Sequence, residues 1–135
     1  KEVGVEVELN VLDSAAFLSA VTKPSEEADY DLVNLSVGVY TGDAEYVMET
    51  FYACDSAAPV YYNRAYFCDP EVDTLIEQAS TLPTMEERNA VYAEINEMVV
   101  DQAPILQMFD VVQTMATSAD LQGIYFEPAG NNWTA

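Results

Sequence analysis

Two helix-start signals follow one another in the middle of this chain, and they constrain its fold more than any other feature. Asp69 is a favoured N-cap residue, and Pro70 occupies the first helical position, where a missing N–H costs nothing. Thr84 and Glu87 then match the capping-box pattern of a second, longer helix. Pro104 ends that helix, because proline cannot donate the next helical hydrogen bond. The sequence therefore predicts two consecutive helices separated by a short break.

Both predicted helices carry an apolar stripe at helical spacing, which indicates that each buries one face. The stripe of the first helix consists of Val72, Leu75, Ile76 and Ala79. The stripe of the second consists of Val91, Tyr92, Ile95, Met98 and Val99. The two helices are therefore expected to pack against each other or against a neighbouring element.

Alternating apolar and polar residues predict strands elsewhere in the chain. Valine and leucine occupy every second position of residues 3–11, a pattern typical of a strand with one wet face. Residues 31–39 predict a second strand, and a short helix that begins at Asp13 or Ser14 separates the two. A strand–helix–strand unit favours parallel pairing. Residues 105–112 and 123–127 predict a third and a fourth strand.

The amino-acid sequence of the helical stretch resembles that of one known family. PEVDTLIEQA followed by MEERNAVYAEINEMVVDQAPILQM is similar to the C-terminal lobe of family 5 extracellular solute-binding proteins, the receptors of peptide- and nickel-type ABC importers. Gly4-Val5-Glu6-Val7-Glu8 and Tyr30-Asp31-Leu32-Val33 resemble two strands of the same lobe. The order and spacing of these pieces extend the resemblance over nearly the whole chain.

The resemblance implies a fold and a role. The expected fold is α/β: residues 1–135 form one domain of the periplasmic-binding-protein type II kind, with a mixed, mostly parallel sheet flanked by helices. This domain would be one lobe cut from a two-lobed clamp, without its usual first strand and helix. The implied role is extracytoplasmic delivery of peptides or a related small solute to ABC permease subunits, without chemistry or a cofactor. The full-length protein would lie in the periplasm or be a cell-surface lipoprotein.

Composition excludes several other classes of function. The 135 residues carry 24 acidic and 4 basic side chains, a net charge of −20, which argues against nucleic acid or an anionic membrane as a partner. Histidine is absent, so neither a Ser-His-Asp triad nor an HExxH zinc motif can be assembled within these residues. No apolar run approaches the roughly 20 residues of a membrane span. Two alternatives to solute binding stay open: a surface interaction or adhesive domain with the same fold, and an acid/base hydrolase.

The predicted ligand site lies partly after the second strand, because ligands bind at the carboxyl ends of strands in open α/β sheets. Tyr40, Thr41 and Asp43 follow that strand and are expected to border the cleft. In peptide-binding relatives an Asp three residues after a Trp pairs with the peptide amine, whereas Val37 and Tyr40 occupy the matching positions here. Asp43 either takes over that pairing or only caps the following helix.

An aromatic cluster supplies the other predicted part of the ligand site. Tyr61 and Tyr62 lie in a long loop together with Tyr66 and Phe67. Tyrosine offers a cleft wall both apolar area and a polar handle. The simpler interpretation is that these aromatic rings pack the loop onto the domain.

The two cysteines of the chain lie at the ends of the same loop. Cys54 and Cys68 are either small buried thiols or a disulfide. Some dipeptide-binding members of the family carry a similar pair around this loop, so the resemblance implies the disulfide. An extracytoplasmic location would allow it to form.

Overall fold

A computed structural model describes residues 4–36, 38, 41–109, 112, 114, 116–125 and 133–134. Within these residues the chain forms helices α1 (Ser14–Val21), α2 (Glu45–Tyr52), α3 (Pro70–Thr81) and α4 (Met85–Gln102). Two short strands, β1 (Ile124–Tyr125) and β2 (Trp133–Thr134), pair antiparallel. Single 3₁₀ turns occupy Ser25–Glu27 and Cys54–Ser56. None of the helices in this part of the chain is long and apolar enough to cross a membrane.

Helices α3 and α4 start where the sequence predicts. The Asp69 carboxylate accepts a hydrogen bond from the backbone N–H of Glu71, and Pro70 occupies the first turn. Thr84 accepts from the N–H of Glu87, and the Glu87 carboxylate accepts from the N–H of Thr84, which completes the capping box. These caps depend only on residues within one turn, so the local sequence is enough to predict them.

The core of the described structure lies between α2, α3 and α4. Val72, Ala79 and Ile95 have no exposed surface, and the predicted stripes of α3 and α4 meet along these residues. Helix α2 adds three further buried side chains, Met48, Phe51 and Tyr52. Because the three helices share one apolar cluster, they hold the loop between α2 and α3 in place.

The predicted fold class, a mixed and mostly parallel sheet flanked by helices, is wrong. The described residues are helical with essentially no strand, and β1 and β2 are two residues each. The first predicted strand has no regular secondary structure among the described residues, and its described alternating apolar side chains are 54–81% exposed. The described residues of 31–36 and 105–109 likewise form no strand.

The physical reason for this difference is that a strand requires a hydrogen-bonded neighbour. Alternation of apolar and polar residues favours an extended backbone, and that local preference is present here. A ladder also requires a second backbone along the edge. Among the described residues no other segment lies beside 4–12, so the side chains of Leu9 and Val11 face solvent. The predicted last strand, 123–127, is described only to residue 125 and contains β1.

Candidate functional site

The loop between α2 and α3 is closed by a disulfide. Cys54 and Cys68 are bonded, with their Cα atoms 4.4 Å apart, as the family resemblance implied. The backbone N–H of Cys54 also donates to the Asp73 carboxylate of α3 at 3.0 Å. The start of the loop is therefore attached to α3 both covalently and by a hydrogen bond.

Asn63 holds the interior of this loop. Its side chain is fully buried, and its amide nitrogen donates to the carbonyl oxygens of Ala53, at 3.1 Å, and Phe67, at 2.7 Å. Its amide oxygen accepts from the N–H of Phe67 at 3.1 Å. A buried amide with these bonds satisfies the backbone of both loop ends, so the loop keeps one defined shape.

Arg64, the next residue, is also buried, with 5% of its surface exposed. Its Nη1 donates to the carbonyl oxygen of Val21, at the C-terminal end of α1, at 3.0 Å. The Tyr62 ring lies on the guanidinium, with 5.2 Å between Cζ and the ring centroid. A cation at a helix C-terminus interacts favourably with the helix dipole, so Arg64 attaches α1 to the disulfide loop.

Two further tyrosines connect the same loop to the segment after α1. The Tyr30 hydroxyl donates to the carbonyl oxygen of Arg64 at 3.0 Å and lies 3.2 Å from the Tyr66 hydroxyl. Tyr66 donates to the carbonyl oxygen of Lys23 at 2.9 Å. Burial, together with the neighbouring Tyr66, raises the pKa of Tyr30, which keeps its hydroxyl protonated as a donor.

A cavity of about 400 Å³ opens between the end of α2, the 3₁₀ turn and α3. Four carboxylate residues line it: Glu49, Asp55, Asp73 and Glu77. Tyr61 and Ile76 add apolar wall. The volume falls within the range of small-molecule sites, and the lining favours a ligand that presents a positively charged or hydrogen-bond-donating group.

The electrostatics of this cavity follow from its crowded carboxylates. Burial raises the pKa of Glu49, and the negative charges of Glu45 and Asp55 raise it further. A ligand amine beside Glu49 would offset that repulsion, because an opposite charge favours the ionised carboxylate. No group of three or more His, Cys, Asp or Glu side chains in the described part of the chain is arranged to hold a metal ion.

Asp43 lies at the opposite end of α2, where its carboxylate already has two partners. One oxygen accepts from the N–H of Glu45 at 3.0 Å, and the other is 2.8 Å from Nη2 of Arg88 on α4. These contacts, the backbone hydrogen bond first and the arginine second, lower the pKa of Asp43. The carboxylate therefore caps α2 and ties its first turn to α4.

We expect Asp43→Asn to lose stability in a pH-dependent way. A carboxyl whose pKa is lowered on folding stabilises the fold fully above its unfolded value, near 3.8, and loses that contribution as the pH falls towards the folded value. The stability difference between wild type and Asp43→Asn should thus be constant from pH 5 to 7 and shrink below about pH 4. Urea unfolding across this range measures it, with the exposed Glu97→Gln on α4 as control. A difference that grows on acidification would contradict the assignment.

The predicted ligand residues fall into two groups. Thr41 and Asp43 precede α2, with the Thr41 hydroxyl accepting from the N–H of Asp43 at 3.3 Å. Tyr61 and Tyr62 lie in the disulfide loop, Tyr61 at the cavity and Tyr62 between Arg64 and Phe51. The cavity lies at the far end of α2, whose eight residues span about 12 Å. Tyr40 lies outside the described residues.

Sequence reasoning missed three residues that organise this region. Asn63, Arg64 and Arg88 act through partners 4 to 45 positions away in the chain. The one available signal was the composition, because the chain has 4 basic residues against 24 acidic ones. This imbalance shows that basic residues are scarce, but it does not indicate which residues they contact.

Comparison with known proteins identifies a class of relatives. The chain is 25% identical over 128 residues to the glutathione-binding protein GsiB of Pectobacterium atrosepticum, an alignment that covers 94% of this chain and 25% of that protein. The proteins of the same name from Shigella dysenteriae and Escherichia coli K12 are 20% identical over the same shares. No family model matches the chain, and no solved structure matches it.

This similarity supports the coarser part of the family resemblance. These relatives are named as binding proteins, and the similarity runs along almost the whole sequence. The chain spans about a quarter of the length of the curated relatives it matches. Their names state a glutathione ligand, which is a property of those proteins.

Proposed function

We propose that this chain is part of a solute-binding protein that delivers a small peptide-like solute to an ABC importer. The observation that carries the proposal is the similarity to glutathione-binding proteins along 94% of the chain. A disulfide in the loop supports an extracytoplasmic location, where such bonds persist. The permease subunits and a second lobe of the clamp would be its partners.

The cavity beside Tyr61 is the surface we propose for the solute. Peptides present an amine, and four carboxylate residues line this cavity. The Tyr61 side chain is 57% exposed and supplies an apolar face that a ligand can cover. Thr41 would border the same ligand from the other end of α2.

Asp43 is not the amine partner in this proposal. Both of its carboxylate oxygens already accept hydrogen bonds, from Glu45 and Arg88. An amine at Asp43 would compete with a helix cap and an ion pair, whereas Glu49 gains from a cation. We therefore expect a ligand anchored differently from the usual dipeptide mode of the family.

Tyr61→Ala in the full-length gene product tests this assignment. Removing the aromatic wall should weaken peptide binding at least about fivefold, as truncation does at the few aromatic contacts that carry most of a binding energy. Val60→Ala is the matched control, because Val60 is 66% exposed, adjacent in sequence and absent from the cavity lining. Isothermal titration calorimetry with a tripeptide panel measures both variants. Equal losses in both, or no loss in Tyr61→Ala, would contradict the cavity as the ligand surface.

A further inference from the structure

Among the described residues Arg64 has no acidic partner, although the chain is rich in acids. Its side chain is buried, yet no carboxylate of the described residues lies within 4 Å of it, whereas Arg88 pairs with Asp43. A buried charge without a counter-charge is costly, and proteins normally pair it. With 24 acidic residues available in the sequence, shortage does not explain the missing partner.

The guanidinium also has unused hydrogen-bonding capacity. Nη1 donates to Val21, but Nε is buried and has no partner among the described residues. A guanidinium carries five N–H donors in a fork that matches a carboxylate. The contact with Val21 accounts for one donor only, so attachment of α1 does not explain the whole side chain.

The surroundings of Arg64 contain two tyrosine hydroxyls and a tyrosine ring but no carboxylate among the described residues. The Tyr66 hydroxyl also donates to the backbone carbonyl oxygen of Lys23. The Tyr62 ring covers the guanidinium, and Tyr62 itself is 46% exposed. A ligand could reach this face of the Arg64 guanidinium only if the Tyr62 ring moved.

We propose that Arg64 receives a carboxylate of the solute, with Tyr62 as the side chain that moves aside. This inference rests on the proposed function and deepens it, because it makes the solute an acid-bearing peptide. Tyr61 and Tyr62 are consecutive, so the acidic cavity and the guanidinium are adjacent along the loop. One end of a peptide would then meet carboxylates and the other would meet Arg64.

The test is a binding cycle on the full-length protein with two probes, S-methylglutathione and its diethyl ester, in which both carboxylates are blocked. Methylation of the probe's sulfur prevents exchange with the Cys54–Cys68 disulfide. Wild type should bind the acid about tenfold to a hundredfold more tightly than the ester, as expected for a charge-assisted pair. In Arg64→Gln that ratio should fall to about one.

Two variants separate recognition from folding. Arg64→Lys keeps the charge and should retain part of the acid preference. Arg88→Gln removes the other described arginine, which already has a carboxylate partner, and should leave the ratio as in wild type. Because the readout is a ratio of two affinities for the same variant, partial loss of folded protein cancels. If Arg64→Gln does not fold, the ratio of acid to ester affinity in wild type and in Arg64→Lys still tests the Arg64 proposal.

Failure of the two proposals would look different. Wild-type protein that binds acid and ester equally well would overturn the Arg64 proposal and leave peptide binding intact. An acid preference that survives in Arg64→Gln would overturn it as well. Wild-type protein that binds neither these probes nor any member of the tripeptide panel would overturn both proposals.

Discussion

Reduction of the Cys54–Cys68 disulfide is expected to destabilise the protein by about 3 kcal/mol. In the chain-entropy model, that is the free energy gained by closing a loop of this length, here a sequence separation of 14. Cys68 is exposed, so a mild reductant can reach the bond. Urea unfolding of oxidised protein, of reduced protein and of the double variant Cys54→Ser, Cys68→Ser measures the difference.

The reduced protein and the double variant should unfold at the same, lower urea concentration. Asn63 still joins the carbonyl oxygens of Ala53 and Phe67 without the covalent bond, so the folded loop should keep its shape. Equal midpoints for oxidised and reduced protein would show that the bond contributes no stability. Free thiols in freshly secreted, unreduced protein would show that it does not form.

Ile95→Ala is expected to cost about 2–5 kcal/mol. Ile95 is fully buried on α4 in the core shared with α2 and α3. Truncation removes apolar contacts and leaves a cavity that three packed helices can fill only in part. The matched control on the same helix is Val100→Ala, because Val100 is 62% exposed and its truncation should stay within about 0.5 kcal/mol.

Thermal or urea unfolding of the two α4 variants distinguishes a shared core from separate helices. A loss below about 1 kcal/mol for Ile95→Ala would contradict close packing at this position. A similar loss for Val100→Ala would indicate that the outer face of α4 is covered by another part of the protein.

The helices could be predicted from the sequence because their signals are local. Asp69 caps α3, Thr84 and Glu87 form a capping box, and the α3 and α4 stripes lie in the core. Each of these features depends on residues within a turn or two of helix. The apolar period and the caps also agree with each other, which makes such a prediction robust.

The predicted sheet failed because strand pairing depends on partners distant in the sequence. The alternation around Val7 and Leu9 favours an extended segment, but a ladder needs a second edge. No local pattern identifies that partner. Arg64 was missed for a related reason, because its bond to Val21 crosses 43 positions.

The residue types of the candidate site could be predicted from the sequence, but the arrangement of their side chains could not. An aromatic loop between two cysteines indicated a ligand wall, and Tyr61 does line a cavity. The side chain of Tyr62 instead covers Arg64, which a list of aromatic residues cannot reveal. The sequence left two roles open for Asp43, pairing with a ligand amine or capping α2. Its hydrogen bonds to Glu45 and Arg88 favour the capping role.

A single titration decides whether this chain belongs to a receptor for a small peptide-like solute. Calorimetric titration of the full-length gene product with S-methylglutathione and a tripeptide panel should give a dissociation constant of about 1 μM or lower for at least one peptide. The isolated 135-residue chain should bind the same peptide far more weakly, because a clamp divides its contacts between two lobes. If the full-length protein binds none of the peptides, the chain is not part of a peptide receptor. If the isolated chain binds equally tightly, the two-lobed clamp is wrong.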